Sequence, residues 1–120
     1  LKALQSIAVL FHEEGTREMD RLRILKLLYI VEREMLQETG RRFLPCRLVA
    51  LDHGPLHSAV YDLIKGQHPD ERLFYQFFSK HGYRVVLDSD PGITELSRYE
   101  LEKLRRVANR YLDLSSWDLA

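Results

Sequence analysis

The stretch Asp52-His53-Gly54-Pro55-Leu56-His57 holds the densest set of groups able to do chemistry. Two histidines spaced His-x3-His chelate a metal when both lie on one helix, because positions i and i+4 share a face. Here Gly54-Pro55 separates them and reads as a helix start, with Pro55 at the first helical position. His53 then precedes the helix and His57 falls in its first turn, so the shared face is lost. Holding a metal would require Cys46, Asp52, His53 and His57 to converge from separate elements. The stretch therefore reads as a polar loop and helix start, with no metal and no cofactor. His12, His68 and His81 fall near predicted element ends, where exposed histidine is ordinary.

Other chemistry finds less support. No G-x-S-x-G elbow occurs, and nothing around Cys46 matches a Cys-His signature. Cys46 follows Pro45 and precedes an apolar run, so it reads as a buried structural thiol. The pairs Glu13-Glu14 and Glu32-Glu34 read as solvated faces. Phosphate-cradling glycine loops are absent. The residues do not point to an enzyme; a metal-dependent hydrolase built on Cys46, His53 and His57 stays as the third reading.

Basic residues form modest clusters: Arg17, Arg21, Arg23 and Lys26, then Arg41, Arg42 and Arg47, then Arg105, Arg106 and Arg110. Acidic neighbours offset them, as on a solvated helix with i, i+4 pairs. The alternative is a DNA-binding regulator of helical or winged type, but a groove-reading helix is rarely the most apolar one in its domain. Tyr29, Tyr61, Tyr75, Tyr99 and Trp117 exceed what one small core buries. Such residues serve as interface anchors, or lie half-buried at the core boundary.

The elements that position these groups follow from periodicity. Leu4, Ile7, Ala8 and Phe11 predict a first helix ending before Gly15. A second runs to about Thr39, capped by Asp20 or Thr16 and stopped by Gly40. Ile24, Leu27, Leu28, Val31 and Met35 form its stripe, and Leu25, Tyr29 and Leu36 widen it, which predicts a central buried helix. Leu48–Leu51 is a short buried strand or an extended approach. Leu56, Ala59, Val60, Leu63 and Ile64 predict a third helix ending at Gly66. Asp70 caps a short helix with Leu73, Phe74, Phe77 and Phe78, a strand being the runner-up. Tyr83–Leu87 is the best strand. Asp90-Pro91-Gly92 is a turn. Ser97-Arg98-Tyr99-Glu100 is a capping box opening a helix lined by Leu101, Leu104, Ala108, Tyr111 and Leu112. Ser115 to Asp118 reads as one more cap before Trp117 and Leu119. The fold class is α+β, mainly α: a compact helical domain with a central buried helix and a small strand component.

Composition agrees. The chain has 120 residues, 18 Lys+Arg against 18 Asp+Glu, and 45% apolar residues. That predicts one domain over residues 1–120, with a core burying roughly 65% of the unfolded surface. No apolar run nears the ~18 residues of a membrane span. Zero net charge makes nucleic acid an improbable general partner. A single cysteine excludes an internal disulfide and suits a reducing cytoplasm. No signal peptide is evident.

Taken in order, Lys26-Leu27-Leu28-Tyr29, Gly40, Ala50, His53-Gly54-Pro55-Leu56, Tyr61, Lys65, Gly82-Tyr83, Val85, Asp90-Pro91-Gly92, Leu96-Ser97, Glu100 and Trp117-Asp118-Leu119 make a specific pattern. From about Leu22 onward the chain resembles the Panacea domain, the SocA-like or phage-associated GepA family. The resemblance implies an antitoxin that neutralises a cognate toxin by direct binding, with the SocA type also delivering its toxin to a Clp-type protease. It brings no catalytic residues. Our own reading of the chain, beside the resemblance, expects partner contact around His53, Gly54, Pro55, His57 and Tyr61. Leu51 stands where the family often has Trp. The family usually continues past Trp117 with a Thr-His segment and further helix, so the chain reads either as a domain truncated at its C-terminus or as a shorter member.

Overall fold

The computed structural model describes residues 2–44, 48–51, 54–57 and 71–114. In chain order these form α1 (Lys2–Glu14), β1 (Glu18–Asp20), α2 (Arg21–Thr39), β2 (Leu48–Leu51), β3 (Gly54–His57), α3 (Glu71–Phe77), β4 (Phe78–His81), β5 (Arg84–Leu87) and α4 (Arg98–Arg110). The fold is α+β and mainly α, as expected. One antiparallel sheet has the order β1-β5-β4, and a second pairs β2 with β3.

Helix α2 is central. Ile24, Leu25, Leu27, Leu28 and Val31 are wholly buried. Its ends are where the sequence put them. Asp20 caps the start, its carboxylate accepting from Leu22 N at 2.7 Å. Gly40 ends it in the left-handed region at φ 72°, its N–H donating to Leu36 O at 2.9 Å. The widened stripe is only partly internal: Leu25 is buried, Tyr29 is half-buried and Leu36 is exposed.

Around α2 pack α1, α4 and β1, and α1 also packs against α4. From α1, Leu4, Ile7, Ala8, Leu10 and Phe11 are buried. The capping box of α4 is present, Ser97 Oγ accepting from Glu100 N and Glu100 Oε1 accepting from Ser97 N. Its inner face is Leu104, Val107 and Ala108, with Leu101 and Tyr111 half-buried. Leu112 is exposed, because the helix ends at Arg110 and no longer turns that residue inward.

Three local expectations change. Strand β1 has no counterpart in the sequence reading, since three residues carry too little alternation to register. It forms because Met19 is buried opposite Val85 in the ladder with β5. The predicted aromatic helix stops at Phe77, and Phe78 begins a strand opposite Leu87. The two-residue turn Gly82-Tyr83 explains this. Gly82 has φ 64° and Tyr83 is not positive, the pattern of a II′ turn. That turn forces the preceding segment to pair rather than coil. Phe74, Phe78 and Phe11 still meet, with ring centroids 5.2 Å and 5.8 Å apart.

The third change is at Gly54-Pro55. These residues begin no helix but lie in β3, with Leu51 opposite Gly54, Ala50 opposite Pro55 and Leu48 opposite His57. In a hairpin with two intervening residues, the pair flanking the turn exchanges hydrogen bonds and the next does not. Pro55 occupies that next position, so its missing N–H removes nothing from the ladder. The rest of the predicted third helix, and the Ser115 to Asp118 cap with Trp117 and Leu119, lie outside the described residues.

Arg23 joins three elements. Its Nε donates to Glu14 Oε2 at 2.7 Å, its Nη2 to Tyr111 O at 2.6 Å and its Nη1 to Leu114 O. The end of α1 and the carbonyl-rich end of α4 thus meet one guanidinium that is 7% exposed. Arg23→Ala should lower unfolding free energy by about 3 kcal/mol in urea titration, and Arg23→Lys should recover little of it, because an ammonium lacks the fork.

Candidate partner-binding surface

The expected contact residues are divided by the structure. Gly54, Pro55 and His57 share β3. His53 and Tyr61 lie outside the described residues, as do Cys46 and Asp52. The His53/His57 pair was expected to straddle a helix start, and at His57 the backbone is strand instead. Among the described residues, no group of three or more His, Cys, Asp or Glu side chains could hold a metal ion.

The β2–β3 hairpin is hung from α2, beside which β3 runs. The hanger is Glu32. Its Oε2 accepts from Phe43 N at 2.7 Å and from Leu44 N at 3.1 Å. Both donors are buried, and both precede β2. Burial pushes the Glu32 carboxyl up from the usual carboxylate range, while those N–H groups and the charges of Arg42 and Lys2 oppose the shift. The sequence reading took Glu32 for a solvated residue, but it is 2% exposed. Its position was legible: Glu32 is four residues after Leu28 and three before Met35, on the apolar side of the wheel.

Glu34 is not solvated in isolation either. Lys103, buried on α4, reaches Glu34 at 3.2 Å and Glu38 at 2.6 Å. Arg110 also bonds Glu34, and Tyr99 donates its hydroxyl to Glu38. Burial raises the Glu34 carboxyl, but bonds from Arg110 and Lys103 outweigh it and the net shift is downward. Burial likewise disfavours the Lys103 charge, yet Glu38 and Glu34 hold its pKa above the usual value. These bonds fix the angle between α2 and α4.

The basic cluster at the front of α2 is therefore not one surface. Arg23 and Lys26 are buried, while Arg17 is exposed and Arg21 is half-buried. Lys26-Leu27-Leu28-Tyr29 is mostly interior: the first three side chains are buried. Desolvation lowers the Lys26 pKa, opposed by the Asp20 charge.

The described residues also line shallow cavities. One, of about 340 Å³, lies between the end of α1 and the segment after β5, lined by Phe11, Arg17, Asp88 and the pair His12–Asp90, whose atoms are 2.8 Å apart. Another, of about 360 Å³, lies beside Met35, Arg41, Arg42 and Tyr99. No helix of the described residues is long and apolar enough to cross a membrane.

Architecture and geometry define a mainly helical α+β fold in which a buried carboxylate of the central helix anchors the chain leading into a two-stranded hairpin. Residues 24–120 match the family described as antitoxin SocA-like, Panacea domain, and the chain belongs to that family. No curated protein and no solved structure matches it.

Glu32→Ala orphans two buried N–H groups and should cost about 2 kcal/mol, with faster hydrogen exchange at the Phe43 and Leu44 amides. Acid titration separates the two carboxylates. Glu34, with a folded pKa below its ordinary value of 4.5, contributes stability that is present above that value and lost as pH falls. Glu32, with a raised folded pKa, contributes stability that is present in acid and lost as pH rises past 4.5. Urea titration across pH 3 to 7 should show Glu34→Gln flattening the acid decline and Glu32→Gln steepening it.

Proposed function

We propose that this chain is an antitoxin-type domain that neutralises a cognate toxin by binding it directly. The observation that carries this reading is membership of the antitoxin SocA-like family over residues 24–120. The physical design supports it. The large apolar stripe of α2 is spent on the interior, so affinity must come from exposed side chains on a rigid frame. Gly54, Pro55 and His57 on β3, with His53 and Tyr61, form the proposed contact. Equal numbers of opposite charges suit selection of one protein partner.

Steric cover of the toxin is the mechanism we favour, with delivery to a Clp-type protease as a second use of the same complex. No catalytic step is needed. A single cysteine fits work in a reducing cytoplasm. A DNA-binding regulator is the weaker reading. Its groove-reading helix would need an exposed basic face, and α2 has Arg23 and Lys26 inside.

Co-expression with the adjacent open reading frame tests the proposal. A stable co-purifying complex and rescue of growth are expected. A neighbour that is toxic yet neither bound nor neutralised would refute the antitoxin reading. Rescue that disappears in a strain lacking Clp protease, with binding intact, would identify the adaptor mode.

A further inference from the structure

The β2–β3 hairpin has little of its own to stand on. A two-stranded hairpin is marginal in water, and neither strand pairs with the β1-β5-β4 sheet. Strand β3 rests on α2. The chain that enters β2 is gripped more firmly. Phe43 and Leu44 are each 3% exposed, and β2 begins four positions on, at Leu48. Both of their N–H groups end on Glu32 of α2.

A cation closes on the same point from α1. Lys2 Nζ lies 5.1 Å from the centroid of the Phe43 ring. That Nζ also pairs with Glu100 Oε2, while Glu100 Oε1 accepts from Ser97 N at 2.9 Å in the capping box of α4. The Lys2 charge favours ionised Glu32, against the desolvation that burial imposes. Helices α1, α2 and α4 therefore converge on two residues ahead of the hairpin. Lys2 precedes the matched residues 24–120, so membership of the family does not account for it.

Held in this way, the β3 backbone that carries Gly54, Pro55 and His57 has one orientation. If the stem loosens, only molecules with the hairpin seated can bind, and apparent affinity falls in proportion to their fraction. Glu32 is 2% exposed and has no surface to offer a partner. In a folded chain its effect on affinity must pass through the residues it holds.

We propose that Glu32, supported by Lys2, is a positioning residue for the partner contact on β3, seating the hairpin in its binding orientation before the partner arrives. The inference rests on the antitoxin reading and on the hairpin as its contact, and adds to them the device that sets the rate of association. A seated hairpin removes an ordering cost from the encounter.

The test measures association and dissociation rates of the full chain with the purified product of the adjacent open reading frame, at a temperature where circular dichroism shows each variant folded. Glu32→Gln keeps the side-chain length and one acceptor oxygen, but sets its own amide N–H groups against a backbone N–H. It should slow association at least roughly fivefold and leave dissociation unchanged, because the complex itself keeps the hairpin seated. Lys2→Met, at a half-buried site, should act the same way by roughly twofold, and it carries the test if Glu32→Gln fails to fold. His57→Ala removes a contact on β3 and should speed dissociation instead. Arg23→Ala loosens the other end of α2, where Glu14 and Tyr111 O meet it, and should leave both rates at wild type. In the free chain, Glu32→Gln should quicken amide exchange at Leu48–Leu51 relative to residues 104–108 of α4. Glu32→Gln at the wild-type association rate, beside His57→Ala with faster dissociation, overturns the positioning role and leaves the hairpin contact standing. A slowing that Arg23→Ala shares marks general loosening and overturns the role as well. Wild-type rates in both Glu32→Gln and His57→Ala overturn the hairpin contact and the positioning role, and leave the antitoxin reading. Failure of the wild type to bind a toxic neighbour overturns all three.

Discussion

The structure depends on enclosing α2. A helix of nineteen residues with apolar side chains on most sides is stable only if other elements cover it. Each polar residue it carries inward must then find a partner, since an unmet buried charge costs several kcal/mol. Arg23 is met by Glu14 and by the carbonyls after α4. Glu32 is met by the N–H groups of Phe43 and Leu44. Glu34 is met by Lys103 and Arg110. Satisfying α2 therefore places α1, α4 and the chain that enters the hairpin.

The same logic extends to the loops. Gln5 is wholly buried on α1, and its amide bonds Pro91 O at 3.0 Å, Thr94 Oγ1 at 3.2 Å and Glu95 N at 2.8 Å. That one side chain anchors the connection between β5 and α4. Asp90 adds a local Asx bond to Gly92 N at 2.7 Å, which together with His12 holds its carboxyl below the usual range. A rigid frame of this kind suits recognition, because side chains fixed before binding lose little entropy on docking. It also separates two roles that composition mixes. Arg23, Lys26 and Lys103 serve the interior, while Arg21 and Arg84 face outward.

Much of this was legible in the chain. Periodicity placed α1, α2 and α4, and the caps at Asp20, Gly40 and Ser97 fixed both ends of α2 and the start of α4. Those signals are local: a cap and its N–H lie within one turn. Family resemblance was legible for the same reason, since it rests on short ordered motifs. The strands were read less well. Pro55 satisfies a helix start and a non-bonded ladder position equally, and only the partner strand decides between them. Phe78 fits the aromatic helix until the turn at Gly82 folds it onto β5. Sequence reasoning named Arg21 in a basic cluster and Tyr83 at the start of a strand, without linking them. These two meet only because β5 pairs with β1 directly before α2.

By itself the sequence determined the helical class, the ends of α2, the family and the central place of α2, because hydrophobic periodicity and capping act over a few residues. Tertiary structure alone decided which charges are interior. Glu32 and Glu34 are two residues apart and carry the same group, yet burial raises the pKa of one and the cations of α4 lower that of the other. A carboxylate's energy depends on what surrounds it in space, and those surroundings come from residues 11 to 76 positions away along the chain.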